Sequence, residues 1–291
     1  MKPAPFDYHR PETATEAVRL LAELGDEAKV LAGGQSLIPM LALRLAAFGH
    51  LVDVGRIDGL HGVECRTGEV WIGAGTTAAA VEHSADVAAG VPLLARATPF
   101  VGHFQIRNRG TIGGSLAHAD PAAEFPAVAV ALDAELEALS PRGARRIPAG
   151  AFFTGLWGTA LEPDELLTGV TFPVWSGRCG FAVEELARRH GDFAIAGAAV
   201  AVVLDGDDNV SRCGIGLIGL GPTPARAAQA EAAAAGAAVA DLDPDEVGRL
   251  AVADLDAVPS DLHGSSAYRT RIGAVMVARA WAAAGREALD A

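Results

Sequence analysis

The chain has 291 residues, 51% of them hydrophobic but only 5% aromatic, and a formal charge of −13. That is enough apolar sequence for a substantial core of small side chains, in one large domain or two. The acidic balance disfavours nucleic acid and anionic membrane surfaces as partners, since both need a basic face.

Thr13 and Glu16 have capping-box spacing, and the helix "ATEAVRLLAEL" that follows should stop at Gly25. "AKVLAGG" reads as a strand running into a tight turn, and "SLIPMLALRLA" as a helix with Ser36 at its N-cap and Pro39 in the first turn. "HLVDVG", "GVECR" and "EVWIGAG" are short strands, "TTAAAVEHS" a helix, and 92–98 a further helix. A second glycine turn lies in "RNRGTIGGSLAHADPAAE", before an Ala-rich buried stretch at 126–132. "AELEALS" alternates as a strand and should pair through "PRG" with "ARRIPA"; one more strand ends at Pro173. Strands at "FAVEELA", "AGAAVAVVL" and "VSRCGIGLIGL" follow, then a helical tail: an Ala-rich stretch from Ala225, "DPDEVGRLAVADL", and a long helix from Ser265. The pattern is mixed α+β in two parts, with the boundary near residues 174–179.

The three cysteines, Cys65, Cys179 and Cys213, show no metal-ligand spacing, so no iron–sulfur cluster or zinc is expected in this chain. The sparse, odd set also argues against a disulfide framework. The N-terminus lacks the apolar core of a signal peptide, and no apolar run approaches the roughly 20 residues that span a bilayer. A cytoplasmic protein is expected.

A Gly-Gly pair permits positive φ and lets a ligand approach the backbone closely. A helix start just after it offers unpaired N–H groups and a partial positive charge. Gln35, Ser36, Thr111 and Ser115 add neutral donors. Two such turns facing each other could cradle a diphosphate without any lysine. A single Gly-Gly pair at a strand end is usually only a turn; two with the same polar flanks point to a ligand. Gly214, Gly216 and Gly219 match G-x-G-x-x-G, but they lie inside a strand-like alternation and are followed by Pro222 and Pro224. They read as small residues under a closely packed neighbour rather than as a dinucleotide fingerprint.

Other residues carry weaker signals. His103 and His118 have no second ligand at metal spacing. Ser115, His118 and Asp120 lie too close along one loop to converge as a nucleophilic triad. The run Arg107–Arg109 could attract phosphate, face a partner or be solvated. Tyr268 and Arg269 read as an interdomain contact, and "ARRIPAGAFF" as a strand edge with an aromatic core pair.

"AGGQSLIPM" and "TIGGSLAHADPAAE" resemble the two FAD diphosphate motifs of the flavoprotein (medium) subunits of molybdenum hydroxylases. The closest type is that of aerobic carbon monoxide dehydrogenase, in the xanthine dehydrogenase family. "FDYHRPETATEAVRLLAE", "ARRHGDFAIAGAAV" and "GSSAYRTRIGAVMVARA" extend the resemblance over the chain. It implies a two-subdomain FAD-binding domain of the vanillyl-alcohol-oxidase (PCMH) type over residues 1–177. A smaller α+β flavoprotein C-terminal domain would follow over 178–291. It further implies that Ala32, Gly33, Gly34, Gln35, Ser36 and Leu37 face Thr111, Ile112, Gly113, Gly114 and Ser115 across the FAD diphosphate. Val101 would pack on the cofactor, with Glu124 on its polar part and Leu161, Arg178 and Phe193 near the flavin; from its place in the loop, Asp120 could touch the ribityl or ribose hydroxyls. Where many relatives have Tyr and Lys, this chain has Phe193 and Arg178.

No catalytic side chain and no metal ligand is implied here. Substrate would be oxidised at a molybdenum cofactor in a large subunit. Electrons would pass through [2Fe–2S] clusters of a small subunit to FAD and on to an external acceptor, in a dimer of heterotrimers. The competing expectations are a free-standing FAD-dependent oxidoreductase and a cofactor-free scaffold.

Overall fold

A computed structural model describes residues 2–291. Strand β1 (Asp7–His9) leads to helix α1 (Ala14–Leu24), β2 (Ala28–Leu31), α2 (Leu37–Ala42) and β3 (His50–Asp53). The three strands form a parallel sheet in the order β1-β3-β2. Thr13 Oγ1 accepts from the Glu16 N–H at 3.1 Å, and Gly25, at φ +56°, ends α1 by donating to the Leu21 carbonyl. Ala17, Val18 and Leu21 bury the inner face of α1 against Val52, Val54 and Leu60. Two expectations change here. Helix α2 stops at Ala42, short of the predicted span, with Arg44 in the left-handed region at φ +58°. Ser36 is itself helical in backbone and its hydroxyl caps nothing.

The chain continues through the hairpin β4 (Val63–Arg66) and β5 (Glu69–Gly73), then helices α3 (Ala78–Glu82), α4 (Ala85–Gly90), α5 (Pro92–Ala97), α6 (Phe104–Arg107), α7 (Ile112–His118) and α8 (Glu124–Ala131). Next come β6 (Glu135–Ser140), β7 (Gly143–Pro148), α9 (Ala149–Phe152), β8 (Phe153–Gly155), β9 (Gly158–Thr159) and β10 (Leu166–Pro173). The antiparallel sheet β4-β5-β10-β6-β7 includes the predicted β6–β7 hairpin. Phe152 is fully buried and meets Phe153 edge-on at 5.1 Å, which is the expected aromatic pair.

The last part is an antiparallel sheet, β11 (Arg178–Leu186), β12 (Ala196–Leu204), β13 (Val210–Ile218) and β14 (Ala225–Arg226), with helices α10 (Ala228–Ala234), α11 (Pro244–Ala251) and α12 (Ser266–Asp290). The stretch from Ala225 therefore begins as a short edge strand before it turns helical. Ser265 caps α12, its hydroxyl accepting from the Tyr268 N–H. Arg269 corrects another expectation. It is buried within this last part, donating to the Ile195 carbonyl and to both Asp261 oxygens, and is no interdomain contact.

Helix α8 joins the two parts. All eight of its residues are buried, because it has core on every side. Its outer side lies on the face of the last sheet that carries Phe181, Ala199 and Ala201, which share one core with Phe125, Val128 and Ala131. The glycines of "GIGLIGLG" make this possible. A Cβ on Gly214 would lie 3.0 Å from the Ala131 carbonyl carbon, and one on Gly216 2.9 Å from that of Ala127, with the oxygens closer still. One helical turn of about 5.4 Å advances alongside two strand residues of about 6.6 Å, so successive turns of α8 meet successive glycines of β13. This is the close-packing reading of that motif, and a nucleotide has no access there.

Gly214→Ala and Gly216→Ala are each expected to destabilise the protein by about 1–3 kcal/mol through overpacking. Gly150→Ala, where an added Cβ meets nothing, should be neutral or stabilising by up to about 1 kcal/mol. Chemical denaturation midpoints at constant slope check both.

Candidate cofactor site

The two double-glycine turns, distant in sequence, meet back to back. A Cβ on Gly33 would lie 2.7 Å from Gly110 Cα and nearer still to the Arg109 carbonyl oxygen. A Cβ on Gly110 would sit 3.6 Å from Gln35 Cγ, and one on Gly114 3.7 Å from Ala32 Cβ. Backbone therefore lies directly on backbone, which only glycine permits.

The turns are not equivalent. In the first, Gly34 is at φ +72°, Gln35 Nε2 donates to the Gly33 carbonyl at 3.1 Å, and the Gly34 carbonyl accepts from the Ile38 N–H. Among the described residues, the backbone N–H groups of Gly33, Gly34, Gln35 and Ser36 have no protein acceptor. Buried or half-buried N–H groups in a row are rarely left so. A phosphate oxygen is the acceptor they suit.

In the second turn the four backbone N–H groups of Ile112 to Ser115 are already engaged. Ile112 N–H goes to the Thr76 carbonyl at 3.0 Å, and Gly113 N–H to the Ala74 carbonyl at 2.9 Å. Gly114 N–H goes to Thr111 Oγ1 at 3.0 Å, and Ser115 N–H to the Thr111 carbonyl at 3.0 Å. The expectation that both turns offer unpaired N–H groups is corrected: loop 74–77 takes up those of Ile112 and Gly113, and Thr111 those of Gly114 and Ser115. Gly113 has no room for a side chain beside Ala74. Gly114 and Ser115 remain half-exposed as a wall against the first turn.

Around this seam the other candidates divide. His118, at the end of α7, stacks on Trp157 with centroids 6.4 Å apart and planes 10° from parallel. Burial holds its pKa below the usual histidine value, against the pull of Asp120, so the ring is neutral at pH 7. Asp120 Oδ1 accepts from the Ala122 N–H, which turns the chain into α8. Ser115 and His118 lie on helix α7 rather than in a loop, and neither they nor Asp120 hydrogen-bond to one another, so no triad converges. Glu124, the first residue of α8, is buried, and its pKa is pushed up to about 8 by burial and then by the negative charge of Glu185. Val101 and Leu161 are half-buried against the main core. Phe193 is 68% exposed, on a loop whose Gly191 abuts His103 and Gly102 next to Val101.

Arg178 is not brought to this place. Its guanidinium is spent on Asp208 at 2.5 Å and on the Asp205 and Leu289 carbonyls, at the opposite end of β11 from Glu185. Arg107 is likewise no phosphate ligand. It pairs with Glu82 at 2.7 Å and donates to the Val101 and Gly102 carbonyls at 3.3 and 3.1 Å, so it pins the Val101 loop. Trp157, in the left-handed region at φ +56° in the tight β8–β9 hairpin, went unnoticed in the sequence. Its neighbour Gly158 was the available turn signal.

Comparison with known proteins adds to this geometry. The model of the FAD binding domain in molybdopterin dehydrogenase matches residues 4–175, and that of the CO dehydrogenase flavoprotein C-terminal domain matches 181–284. The 6-hydroxypseudooxynicotine dehydrogenase complex subunit alpha of Paenarthrobacter nicotinovorans is 42% identical over 98% of this chain and 96% of its own. The carbon monoxide dehydrogenase medium chain of Hydrogenophaga pseudoflava is 39% identical over 98% of each. Among solved structures, the carbon monoxide dehydrogenase of H. pseudoflava superposes with a TM-score of 0.95 at 40% identity, covering 99% of both chains. Quinoline 2-oxidoreductase from Pseudomonas putida 86 does so at 0.92 and 32%, covering 99% of this chain and 100% of that one.

Arg107→Met should cost about 3 kcal/mol, because it leaves Glu82 half-buried and unpaired. It should also loosen the 99–102 loop. Denaturant midpoints and faster amide exchange at 99–102 check this.

Proposed function

The chain belongs to the family of FAD-binding domains in molybdopterin dehydrogenases, and from that premise we propose how its residues hold the cofactor. It is the medium, FAD-binding subunit of a molybdenum hydroxylase of the carbon monoxide dehydrogenase/xanthine dehydrogenase type, an oxidoreductase subunit. In our reading the FAD-binding domain spans 1–177 and the C-terminal flavoprotein domain 178–291.

One observation carries the assignment of the cradle: four consecutive backbone N–H groups, Gly33 to Ser36, without a protein acceptor, on a turn packed against the second glycine turn. The pyrophosphate bridge of FAD fits there. Ala32, Gly33, Gly34, Gln35, Ser36 and Leu37 supply the donors and the close approach. Thr111, Ile112, Gly113, Gly114 and Ser115 supply the rigid opposite wall, held by loop 74–77. An acidic chain binds an anion this way because neutral N–H dipoles stabilise charge without a lysine. Asp120 and Glu124 meet the polar part of the cofactor, Val101 and Leu161 its apolar flanks, and Phe193 the ring region.

Bound FAD supplies the redox chemistry, taking up electrons and passing them on. The chain's own residues bind and orient it. Arg107 fixes the Val101 loop, Trp157 stacks on His118 at the end of α7, and α8 ties the cradle to the C-terminal sheet. We further read the partners as a small subunit with [2Fe–2S] clusters and a large subunit with the molybdenum cofactor, in a dimer of heterotrimers. Electrons then leave to an external acceptor, in the cytoplasm. Among the described residues no helix is long and apolar enough to cross a membrane, and the three cysteines are unpaired.

Purified protein incubated with FAD should retain it through gel filtration, with flavin absorption in the protein peak. Gly33→Ala, which forces the turns apart, should keep its circular dichroism yet bind FAD at least about 100-fold more weakly, about 2.7 kcal/mol. Equal affinity in the two proteins would remove the Gly33 turn from the site.

A further inference from the structure

The seam between the two glycine turns has aromatic side chains on both sides of it along the chain. In segment 102–118 three contacts come in order. At the start, Gly102 and His103 touch Gly191, on the loop that carries Phe193. In the middle, Arg109, Gly110 and Gly114 meet Gly33, Gln35 and Ala32 of the first turn. At the end, His118 carries Trp157, with ring centroids 6.4 Å apart and planes 10° from parallel. Gly114 and His118 are four residues apart on α7, so they lie on one face of the helix. Because a Cβ on Gly114 would sit 3.7 Å from Ala32 Cβ, that face is the one turned to the first turn. Trp157 therefore stands beside the cradle, one helical turn along α7 from the seam.

The hairpin that presents Trp157 is built against its own turn chemistry. β8 and β9 are joined by two residues, Leu156 and Trp157, between the paired Gly155 and Gly158. Trp157, the second of them, has φ +56°, at the position where such turns favour glycine. A bulky ring in left-handed backbone is a departure that structures keep where they use it. Both tip residues are exposed, Trp157 at 56%, whereas Trp71, Trp175 and Trp281 are buried. The indole thus rests partly on the imidazole and offers the remainder of a flat apolar surface to another planar ring. Asp120, two residues after His118, uses Oδ1 on the Ala122 N–H, which leaves Oδ2 as an acceptor for a sugar hydroxyl.

We propose that Trp157 is a further cofactor-binding residue, whose indole, backed by His118, stacks on the adenine of FAD. This placement rests on the reading of the cradle in the preceding section. FAD carries one ring system on each side of its pyrophosphate. With the pyrophosphate on the first turn and the flavin towards Phe193, the adenosine half runs the other way, along α7 to His118 and Trp157. Adenine suits that end, since it is uncharged, planar and stacks on aromatic side chains through its π-face.

The test compares full-length wild type, Trp157→Phe and Trp157→Gly with two probes, FAD and ADP. ADP carries the pyrophosphate and the adenine but no flavin. Glycine is the residue the turn favours, so Trp157→Gly should keep the fold, as circular dichroism checks. It should bind FAD and ADP each at least about tenfold more weakly than wild type, with Trp157→Phe between the two. Acrylamide quenching of wild-type indole fluorescence, which reports chiefly on Trp157, should drop when ADP binds. Hydroxyl-radical oxidation of Trp157, read by mass spectrometry, should slow when FAD is bound, whatever the affinity for ADP. Equal FAD affinity in Trp157→Gly and wild type, or undiminished oxidation of Trp157 in FAD-loaded protein, overturns the proposal. So does a loss of affinity confined to FAD with ADP binding unchanged, which puts Trp157 on the flavin instead. Wild type that takes up neither FAD nor ADP contradicts the cradle itself, and the adenine assignment falls with it.

Discussion

Contact of backbone with backbone through glycine is the constraint that organises this molecule. At Gly33 it seats the first turn on Arg109–Gly110, at Gly113 it seats the second turn on Ala74, and at Gly214 and Gly216 it seats α8 on the C-terminal sheet. A side chain at any of these places would meet main-chain atoms that cannot swing aside. Main-chain contacts of this kind transmit position rigidly, since interiors are packed to crystal density. The cradle, the helix after it and the sheet beyond are therefore one mechanical unit. A core poor in aromatic residues and rich in alanine is the compositional side of the same design.

Rigidity explains why the two turns have different tasks. Donors that already bond to the Ala74 and Thr76 carbonyls cannot turn to a ligand, but they fix the wall on which a ligand rests. The backbone N–H groups of Gly33 to Ser36 are unspent. An anion-binding turn works best when its N–H groups need no rearrangement to meet charge, because reorganisation would take back part of the binding energy. An acidic protein gains further from such a site, since neutral dipoles bind phosphate without a basic patch that would recruit other anions.

Much of this was legible in the sequence, and what was not has definite physical causes. Thr13 and Gly25 punctuate α1 as capping chemistry requires, and the β6–β7 hairpin and the long terminal helix stand where periodicity puts them. The double-glycine turns identify the cradle because glycine next to small polar residues is costly without a reason. Local sequence does not reveal which N–H groups are consumed by distant carbonyls, so the second turn was read as a donor. Nor does it reveal partners across the fold. Arg178 is bound to Asp208, Arg269 to Asp261 and Arg107 to Glu82, and in each case the charge was visible and its use was not.

The central claim is that the first turn binds the FAD pyrophosphate with its free backbone N–H groups while the second turn only supports it. Residue-resolved amide hydrogen exchange with and without FAD tests this directly. The account predicts that FAD slows exchange at Gly33, Gly34, Gln35 and Ser36, while Ile112 to Ser115 are protected already in its absence. Unchanged exchange at the first four amides in protein that binds FAD would contradict it, as would a gain in protection confined to the second turn.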